Sequence, residues 1–245
     1  MLAMVDLHSH ILPGLDDGAP SLEISVEMAR VAVESGVRAM VATPHCDSDR
    51  GREVYHAWKL LRAALHELDI PLQLGLGMEI YGSRETLKLL RDGRLFTLNQ
   101  SRYPLVEFDF LSDDYEGSRI LKELVRCGFR PLVAHPERHR FLQERPELLN
   151  EWARMGCCFQ INRGSYFGRF GQGAYSMAME MTDRGFATVV ASDAHSPVAR
   201  TPWMRDVQEL LADVFAEDTA QRLLLENPSL ILKNREITFQ EPEWF

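Results

Sequence analysis

Two short motifs near opposite ends of the 245-residue chain combine residue types that bind metal ions. The first is His8-Ser9-His10, and the second is Asp193-Ala194-His195. In an extended strand, side chains two positions apart point to the same side, so each motif can direct two ligand atoms at one ion. Either motif alone is weak evidence, because a lone histidine is more often a hydrogen-bonded core or surface residue. Their meaning depends on whether further ligands lie at the same edge of the fold.

Further side chains that can bind metals stand where predicted strands end. Six of the seven predicted strands are followed by such a residue, and barrel enzymes build their active sites at the carboxyl ends of their strands. Burying so many ionisable groups together without cations would be costly. The sequence therefore predicts a metal centre, to which the other strand ends contribute His45, Glu79, Glu107 and His135.

The ligand types narrow the identity of the ions and the chemistry. Imidazole and carboxylate ligands without thiolate suit manganese, zinc or iron and are poor for calcium. More than four ligands imply at least two ions, and closely spaced ions activate water and stabilise phosphoryl oxygens in hydrolysis. Arg138 and Arg200 lie near these segments and could hold a phosphate through paired N–H donors, although for either arginine alone a surface role is the better interpretation.

Short apolar runs alternate with amphipathic segments along the chain. The runs predict strands at residues 4–7, 39–42, 72–75, 105–108, 131–134, 158–161 and 188–191. The first helix is predicted to begin after Ser21, a typical N-cap residue, and to end near Gly36. Further helices are predicted at residues 53–68, 84–91, 118–127, 146–155, 174–184 and 203–215.

This alternation predicts an α/β fold in which crossover helices join parallel strands. Seven strand–helix units without a low-complexity linker indicate one closed or nearly closed barrel. A doubly wound open sheet remains the alternative from the pattern alone, and the length by itself would also allow two small domains.

Composition and charge exclude several classes of function. A net charge of −9 argues against a nucleic-acid-binding protein. There is no apolar run of about 18 residues and no signal-peptide pattern, so we expect no membrane insertion. The cysteines show no CxxC spacing and are expected to be free thiols in a reducing cytoplasm; they are Cys46, Cys127, Cys157 and Cys158.

One motif points to a different chemistry. His45, Cys46 and Arg52 spell the HCx5R string of cysteine-dependent tyrosine phosphatases. The intervening loop, however, contains Asp47 and Asp49, whose carboxylates would repel a phosphate and raise the pKa of the Cys46 thiol. Metal chemistry is therefore favoured over thiolate chemistry.

At these residues the sequence resembles the polymerase-and-histidinol-phosphatase (PHP) superfamily, whose members open with HxH and close with DxH. It more closely resembles the bacterial PHP-type tyrosine-protein phosphatases of capsule and exopolysaccharide operons. The matching stretches follow the family's order over nearly the whole chain: DLHSHILPGLDDG, ATPH, GMEIY, LNQSRYPLVEF, AHPERH, GCCFQIN, ASDAH and ENPSLIL.

The resemblance implies a distorted (β/α)7 TIM-like barrel, the PHP fold, with residues 1–245 as a single metallophosphatase domain. It also implies a centre of two or three divalent ions, with manganese expected and iron or zinc as alternatives. One ion would take His8, His10, Glu79 and Asp193, with Glu79 bridging to a second ion held by Glu107 and His135; the third would take Asp17, His45 and His195. Arg138 and Arg200 match the family's phosphate-binding arginines.

The implied reaction is hydrolysis of phosphotyrosine on a protein, by attack of a metal-bound hydroxide. A tyrosine autokinase of polysaccharide export would be the substrate. The chain departs from the family's usual residues at Cys46, Asp47, Asp49 and Arg163, which could alter substrate preference. The rivals are a small-molecule phosphatase of the histidinol-phosphatase type, a metal-dependent nuclease or proofreading module, and a non-catalytic scaffold. Oligomeric state is not predicted.

Overall fold

The computed structural model describes residues 2–109, 114–237 and 241–245. Its strands are short and almost entirely buried, as in parallel sheets covered on both faces. The described residues form the strands β1 (Met4–Ser9), β2 (Val37–Ala42), β3 (His45–Cys46), β4 (Gln73–Leu76), β5 (Glu79–Tyr81), β6 (Leu105–Glu107), β7 (Leu132–Ala134), β8 (Cys158–Asn162) and β9 (Val189–Ala191).

Helices follow most of the strands along the chain. Three 3-10 turns, Leu98–Gln100, Pro136–Arg138 and Arg163–Phe167, and a π-helical turn, Arg222–Glu226, supplement the α-helices. The α-helices are α1 (Leu22–Ser35), α2 (Gly51–Glu67), α3 (Arg84–Arg91), α4 (Asp114–Arg126), α5 (Arg140–Glu144), α6 (Leu148–Arg154), α7 (Gln172–Asp183), α8 (Arg205–Val214), α9 (Glu217–Gln221) and α10 (Asn227–Leu232). Within the described ranges, no helix has the length and apolar character needed to cross a membrane.

The strands form two parallel sheets. One has the order β1-β2-β4, and the other has the order β3-β5-β6-β7-β8-β9. An isolated bridge between Ser9 and Ala194 joins the end of β1 to the segment after β9. The predicted α/β class with parallel strands is therefore confirmed, whereas the described residues form two sheets and not one continuous closed barrel.

The predicted seven strands all overlap observed strands, but β3 and β5 were missed. Each is separated from the preceding strand, β2 or β4, by only two residues. His45 and Glu79 thus begin short new strands, which pair with each other, and do not simply trail the ends of longer ones. Both strands begin with an ionisable residue and hold only one or two residues after it, so neither forms an apolar run that a sequence pattern would reveal.

The predicted limits of the first helix are confirmed by its caps. The Ser21 hydroxyl accepts a hydrogen bond from the Ile24 amide, which satisfies a free N–H group of the first turn. Gly36 ends the helix with a φ of 105°, a left-handed conformation that strongly favours glycine. The buried side of the helix includes Met28, Ala29 and Ala32. This packing fixes the crossover between β1 and β2, whose ends carry several of the predicted ligands.

Candidate metal centre

The nine predicted ligands lie together at the carboxyl ends of the strands. They fall into four overlapping groups, in each of which the possible ligand atoms lie within 4.8 Å of one another. The groups are His8, His10 and Glu79; His8, His135 and Asp193; His45, Glu79 and Glu107; and His10, Asp17, His45 and His195. The grouping differs from the expected ligand sets in two respects. Glu107 lies with His45 while His135 lies with His8 and Asp193, and His10 also lies with the set of Asp17, His45 and His195.

The carboxylate of Glu79 lies at the middle of this cluster. Its Oε2 atom is 3.2 Å from Nε2 of His8, 3.2 Å from Nε2 of His10 and 3.0 Å from Nδ1 of His45. Its Oε1 atom is 2.8 Å from Nε2 of His135. The residue is fully buried. One carboxylate therefore meets four imidazoles from three strand segments, namely the end of β1, the start of β3 and the residue after β7, which is the arrangement expected of a metal-binding carboxylate.

Asp193 forms a second junction, between the histidine pair and two arginines. Its Oδ1 atom is 3.5 Å from Nε2 of His8 and 3.4 Å from Nε2 of His10. Its Oδ2 atom accepts hydrogen bonds from Arg200 Nη2 at 2.5 Å and Arg138 Nη1 at 3.4 Å. The backbone of Asp193 is left-handed, with a φ of 50°, a conformation costly for non-glycine residues and frequent at functional sites.

The cluster opens to solvent on the side of Asp17. The side chain of Asp17 is 64% exposed, and its Oδ1 atom lies 3.5 Å from Nε2 of His45 and 3.3 Å from Nε2 of His195. Nδ1 of His45 lies 2.8 Å from Oε1 of Glu107. Since Glu79 and the His8–His10 pair are buried, Asp17 and His45 form an exposed side of the cluster from which a substrate can approach.

The charges of the cluster depend on close opposite partners. Burial alone would raise the pKa of Glu79 and of Asp193, but the neighbouring histidines, His8 foremost, hold both pKa values well below their usual range. The pKa of His10 is raised well above its usual value; burial opposes this shift, but bonds to Asp16, Asp193 and Glu79 outweigh it. The buried carboxylates therefore require nearby positive charge.

The residues fit divalent metal ions. Among the described residues, Oε2 of Glu79 and Nε2 of His195 are buried side-chain atoms without a hydrogen-bond partner, although imidazole or carboxylate atoms surround both. A cation can provide the compensating charge for these carboxylates and take the unshared electron pairs of both atoms. A donor set of imidazoles and carboxylates suits manganese, iron or zinc.

Three side chains that orient the cluster were missed in the sequence. Oδ2 of Asp16 lies 2.7 Å from Nδ1 of His10, and Oε1 of Gln160 lies 2.8 Å from Nδ1 of His8. Asn162 donates to Oδ2 of Asp193 at 2.6 Å. Such partners fix the tautomer and orientation of a metal-binding residue. Gln160 and Asn162 lie two positions apart on β8, the predicted strand that no candidate ligand follows, so their side chains point to the same side. This spacing is the sequence signal that could have identified them.

Replacement of Asp16 is expected to weaken metal binding without removing a ligand. In Asp16→Asn, the carboxylate that holds His10 Nδ1 becomes an amide, and metal affinity should fall about 10- to 100-fold. Isothermal titration calorimetry of the metal-free protein with manganese measures the affinity. Asp92→Asn, an exposed carboxylate after α3, is the matched control and should bind as the wild type does. Equal affinities for Asp16→Asn and the wild type would refute the orienting role.

The predicted phosphate-binding arginines lie at the edge of the cluster. Arg138 ends the turn Pro136–Arg138 after β7, and Arg200 lies in the loop after β9. Their side chains are 19% and 32% exposed, and both contact Oδ2 of Asp193. Each guanidinium is thus partly open to solvent beside the buried ligands, where it can reach a phosphate bound at the cluster.

The Cys46 thiol has the wrong environment for a nucleophile. It is 1% exposed and donates a hydrogen bond to the Ser48 carbonyl at 3.1 Å. Burial raises the pKa of the thiol, so the reactive thiolate is disfavoured. The geometry agrees with the interpretation that the HCx5R string is coincidental.

A Cys46→Ser variant is accordingly expected to keep its activity. The serine hydroxyl can donate to the same carbonyl, and no step requires a thiolate. The measurement is kcat/KM on an aryl phosphate together with metal content. Loss of activity with full metal content would instead assign the chemistry to the thiol.

The chain is similar over most of its length to several known proteins. The family model described as capsular polysaccharide synthesis, CpsB/CapC, matches residues 4–233. The tyrosine-protein phosphatase YwqE of Bacillus subtilis is 34% identical over 98% of this chain and 96% of its own length. The putative tyrosine-protein phosphatase CapC of Staphylococcus aureus is 32% identical over 98% of this chain and 95% of its own.

A solved structure extends the similarity to the fold. It is one of the crystal structures of YwqE from Bacillus subtilis and CpsB from Streptococcus pneumoniae, which are described as unique metal-dependent tyrosine phosphatases. The two chains superpose with a TM-score of 0.92 at 34% identity, covering 99% of each chain. The similarity therefore includes every strand end that carries a predicted ligand.

Proposed function

The chain belongs to the capsular polysaccharide synthesis CpsB/CapC family, and we propose that it is a metal-dependent protein-tyrosine phosphatase. The observation that carries this proposal is the convergence of four imidazoles on the Glu79 carboxylate, beside two arginines at Asp193. The relatives that share this chain's full length are named tyrosine-protein phosphatases, and the related solved structure is described as metal-dependent.

The proposed centre holds two or three divalent ions, with manganese preferred and iron or zinc as alternatives. Its ligands are the nine clustered residues: His8, His10, Asp17, His45, Glu79, Glu107, His135, Asp193 and His195. When bound, the ions supply Lewis-acid activation of water and neutralise phosphate charge. The buried carboxylates fix the positions of the imidazoles around that centre, and Asp16 and Gln160 fix the ring orientations.

The arginines are proposed to bind the phosphate oxygens. Arg138 and Arg200 present N–H donors from one side of the cluster, where they stabilise the charge that develops during phosphoryl transfer. A tyrosyl leaving group has a pKa near ~10, so it departs with less proton donation than an alkyl alcohol requires. The open side at Asp17 admits a phosphorylated side chain that projects from a protein surface.

We propose the PHP architecture, a distorted (β/α)7 barrel, for the fold as a whole. One cluster of buried side chains draws Leu7 of β1 and Val41 of β2 together with Leu105, Leu132 and Val189 of the second sheet. This shared interior and the Ser9–Ala194 bridge support a barrel. Ligands from both ends of the sequence support a single metallophosphatase domain over residues 1–245.

The proposed partner and compartment follow from the family. The substrate would be a phosphotyrosine-bearing protein, specifically a tyrosine autokinase of capsular or exopolysaccharide synthesis. The four cysteines are free thiols, which supports a reducing, cytoplasmic location. A small-molecule phosphatase of the histidinol-phosphatase type is the alternative that shares the metal chemistry.

Relative turnover of two substrates tests this function. We expect kcat/KM for a phosphotyrosyl peptide to exceed that for histidinol phosphate, because the open side at Asp17 and His45 can admit an aryl ester carried on a peptide chain. A phosphoseryl peptide of the same sequence is the control for the leaving group and should be hydrolysed more slowly. A preference for histidinol phosphate would favour the alternative, and hydrolysis of none of the three would refute phosphatase function.

A further inference from the structure

The ring of Phe170 lies against both arginines of the site. Its centroid is 4.1 Å from Cζ of Arg138 and 6.0 Å from Cζ of Arg200. Both distances are within the range over which a guanidinium is attracted to the face of an aromatic ring. Phe170 stands eight residues after the end of β8 and is not a metal-binding residue type, so no ligand motif in the sequence marks it.

Both arginines also bind Oδ2 of Asp193. The bond from Arg138 Nη1 to Asp193 is 3.4 Å long, near the limit for a hydrogen bond. Nε of Arg200 is buried and, among the described residues, has no hydrogen-bond partner. Two like charges converge on one carboxylate oxygen of Asp193. A ring whose electron-rich face meets both cations offsets part of their mutual repulsion and limits their rotation.

The backbone around Phe170 is built to seat this ring. Gly168 and Gly171 flank it with φ values of 68° and 90°, which L side chains rarely adopt. A Cβ atom at Gly164 would lie 2.7 Å from Cε2 of Phe170, so only glycine leaves room for the ring there. Arg169 donates to the Ala199 carbonyl at 2.6 Å, which ties this turn to the loop of Arg200. The position of the ring is therefore determined by the fold.

We propose that Phe170 is a positioning residue for phosphate binding, because its ring holds Arg138 and Arg200 in the orientation that meets the substrate's phosphoryl oxygens. The inference rests on the proposed phosphatase function and adds a determinant of substrate affinity to it. The role requires the aromatic face and not merely apolar volume. Leucine should therefore fail as a substitute, whereas tyrosine should succeed.

The experiment compares Phe170→Leu and Phe170→Tyr with the wild type. Loss of the aromatic face should lower kcat/KM for para-nitrophenyl phosphate about tenfold, mainly through KM, and weaken inhibition by inorganic phosphate by the same factor. Phe170→Tyr should keep both constants near wild type. Gly164→Ala, which displaces the ring, should resemble Phe170→Leu. Metal content should be unchanged in all variants.

Phe167 provides the matched control in the same turn. Its ring lies 5.4 Å from Cζ of Arg163, whose guanidinium is bound to Asp206 and not to the site. Phe167→Leu should retain the wild-type phosphate inhibition constant. The proposal is overturned if Phe170→Leu binds phosphate as the wild type does, or if Phe170→Leu and Phe170→Tyr lose affinity equally, or if Phe167→Leu loses as much. An inactive wild type with metal bound would instead refute the phosphatase function itself.

Discussion

Complete removal of divalent metal is expected to lower the hydrolysis of aryl phosphates by about a thousandfold or more. The reason lies in the charges of the cluster, where Glu79 and Asp193 are buried carboxylates surrounded by imidazoles. Without ions, these side chains pair with one another, and the Lewis acid that would activate water and neutralise the phosphate is lost. The measurement is the rate on para-nitrophenyl phosphate before and after dialysis against a chelator, with residual metal determined by elemental analysis.

Two further measurements separate loss of chemistry from loss of structure. Circular dichroism of the metal-free protein should retain the helical signal, because the main core cluster consists of apolar side chains that pack without any ion. Addition of manganese, iron or zinc, each alone, should restore activity and identify the preferred ion. If the metal-free protein kept its full rate of hydrolysis, the proposed metal-dependent mechanism would be wrong, even if the cluster does bind metal ions.

The clustering of the candidate ligands could be predicted from the sequence, because strand geometry dictates where their side chains point. His8 lies on β1 and His10 directly follows this strand, and their side chains lie together in the structure. The carboxyl ends of parallel strands also meet at one edge, which brings residues as distant in sequence as Glu79 and Asp193 to the same imidazoles. A period of two and a common edge are regular features, so a pattern in the sequence is enough to indicate them.

The orienting role of Asp16 could not be predicted, because loop packing decides its partner. Asp16 and Asp17 are adjacent carboxylates, yet Asp16 contacts Nδ1 of His10 while Asp17 faces His45 and His195. The loop folds back so closely that a Cβ at Gly18 would lie 2.1 Å from the His10 carbonyl oxygen. Nothing in two identical side chains says which of them points inward, and only the three-dimensional course of the loop decides it.

The positions of the two short strands have a similar explanation. β3 and β5 begin with His45 and Glu79, and their hydrogen bonds pair these two residues directly. The pairing fixes the Nδ1 atom of His45 3.0 Å from Glu79 Oε2. Two paired residues give no periodic signal. These two strands are therefore recognised only from their pairing in the sheet, although they position the residues at the centre of the site.

Glu79→Gln is expected to have the largest effect of any single substitution, because this carboxylate contacts all four surrounding imidazoles. The neutral amide cannot bridge two cations, and its NH2 group would face imidazole nitrogens that need a negative partner. We expect kcat to fall roughly a thousandfold and the bound metal to decrease by at least one ion per chain. Steady-state kinetics and elemental analysis of the purified protein measure the two quantities.

Thermal unfolding distinguishes a lost ion from a damaged fold. A ligand that binds only the native state raises its melting temperature, so manganese should stabilise the wild type strongly and Glu79→Gln much less. Glu53→Gln is the control, since Glu53 is an exposed carboxylate on α2 that pairs with Arg50; it should respond to manganese as the wild type does. A Glu79→Gln protein with wild-type metal content and kcat would show that the convergence of imidazoles on this carboxylate does not build the active site.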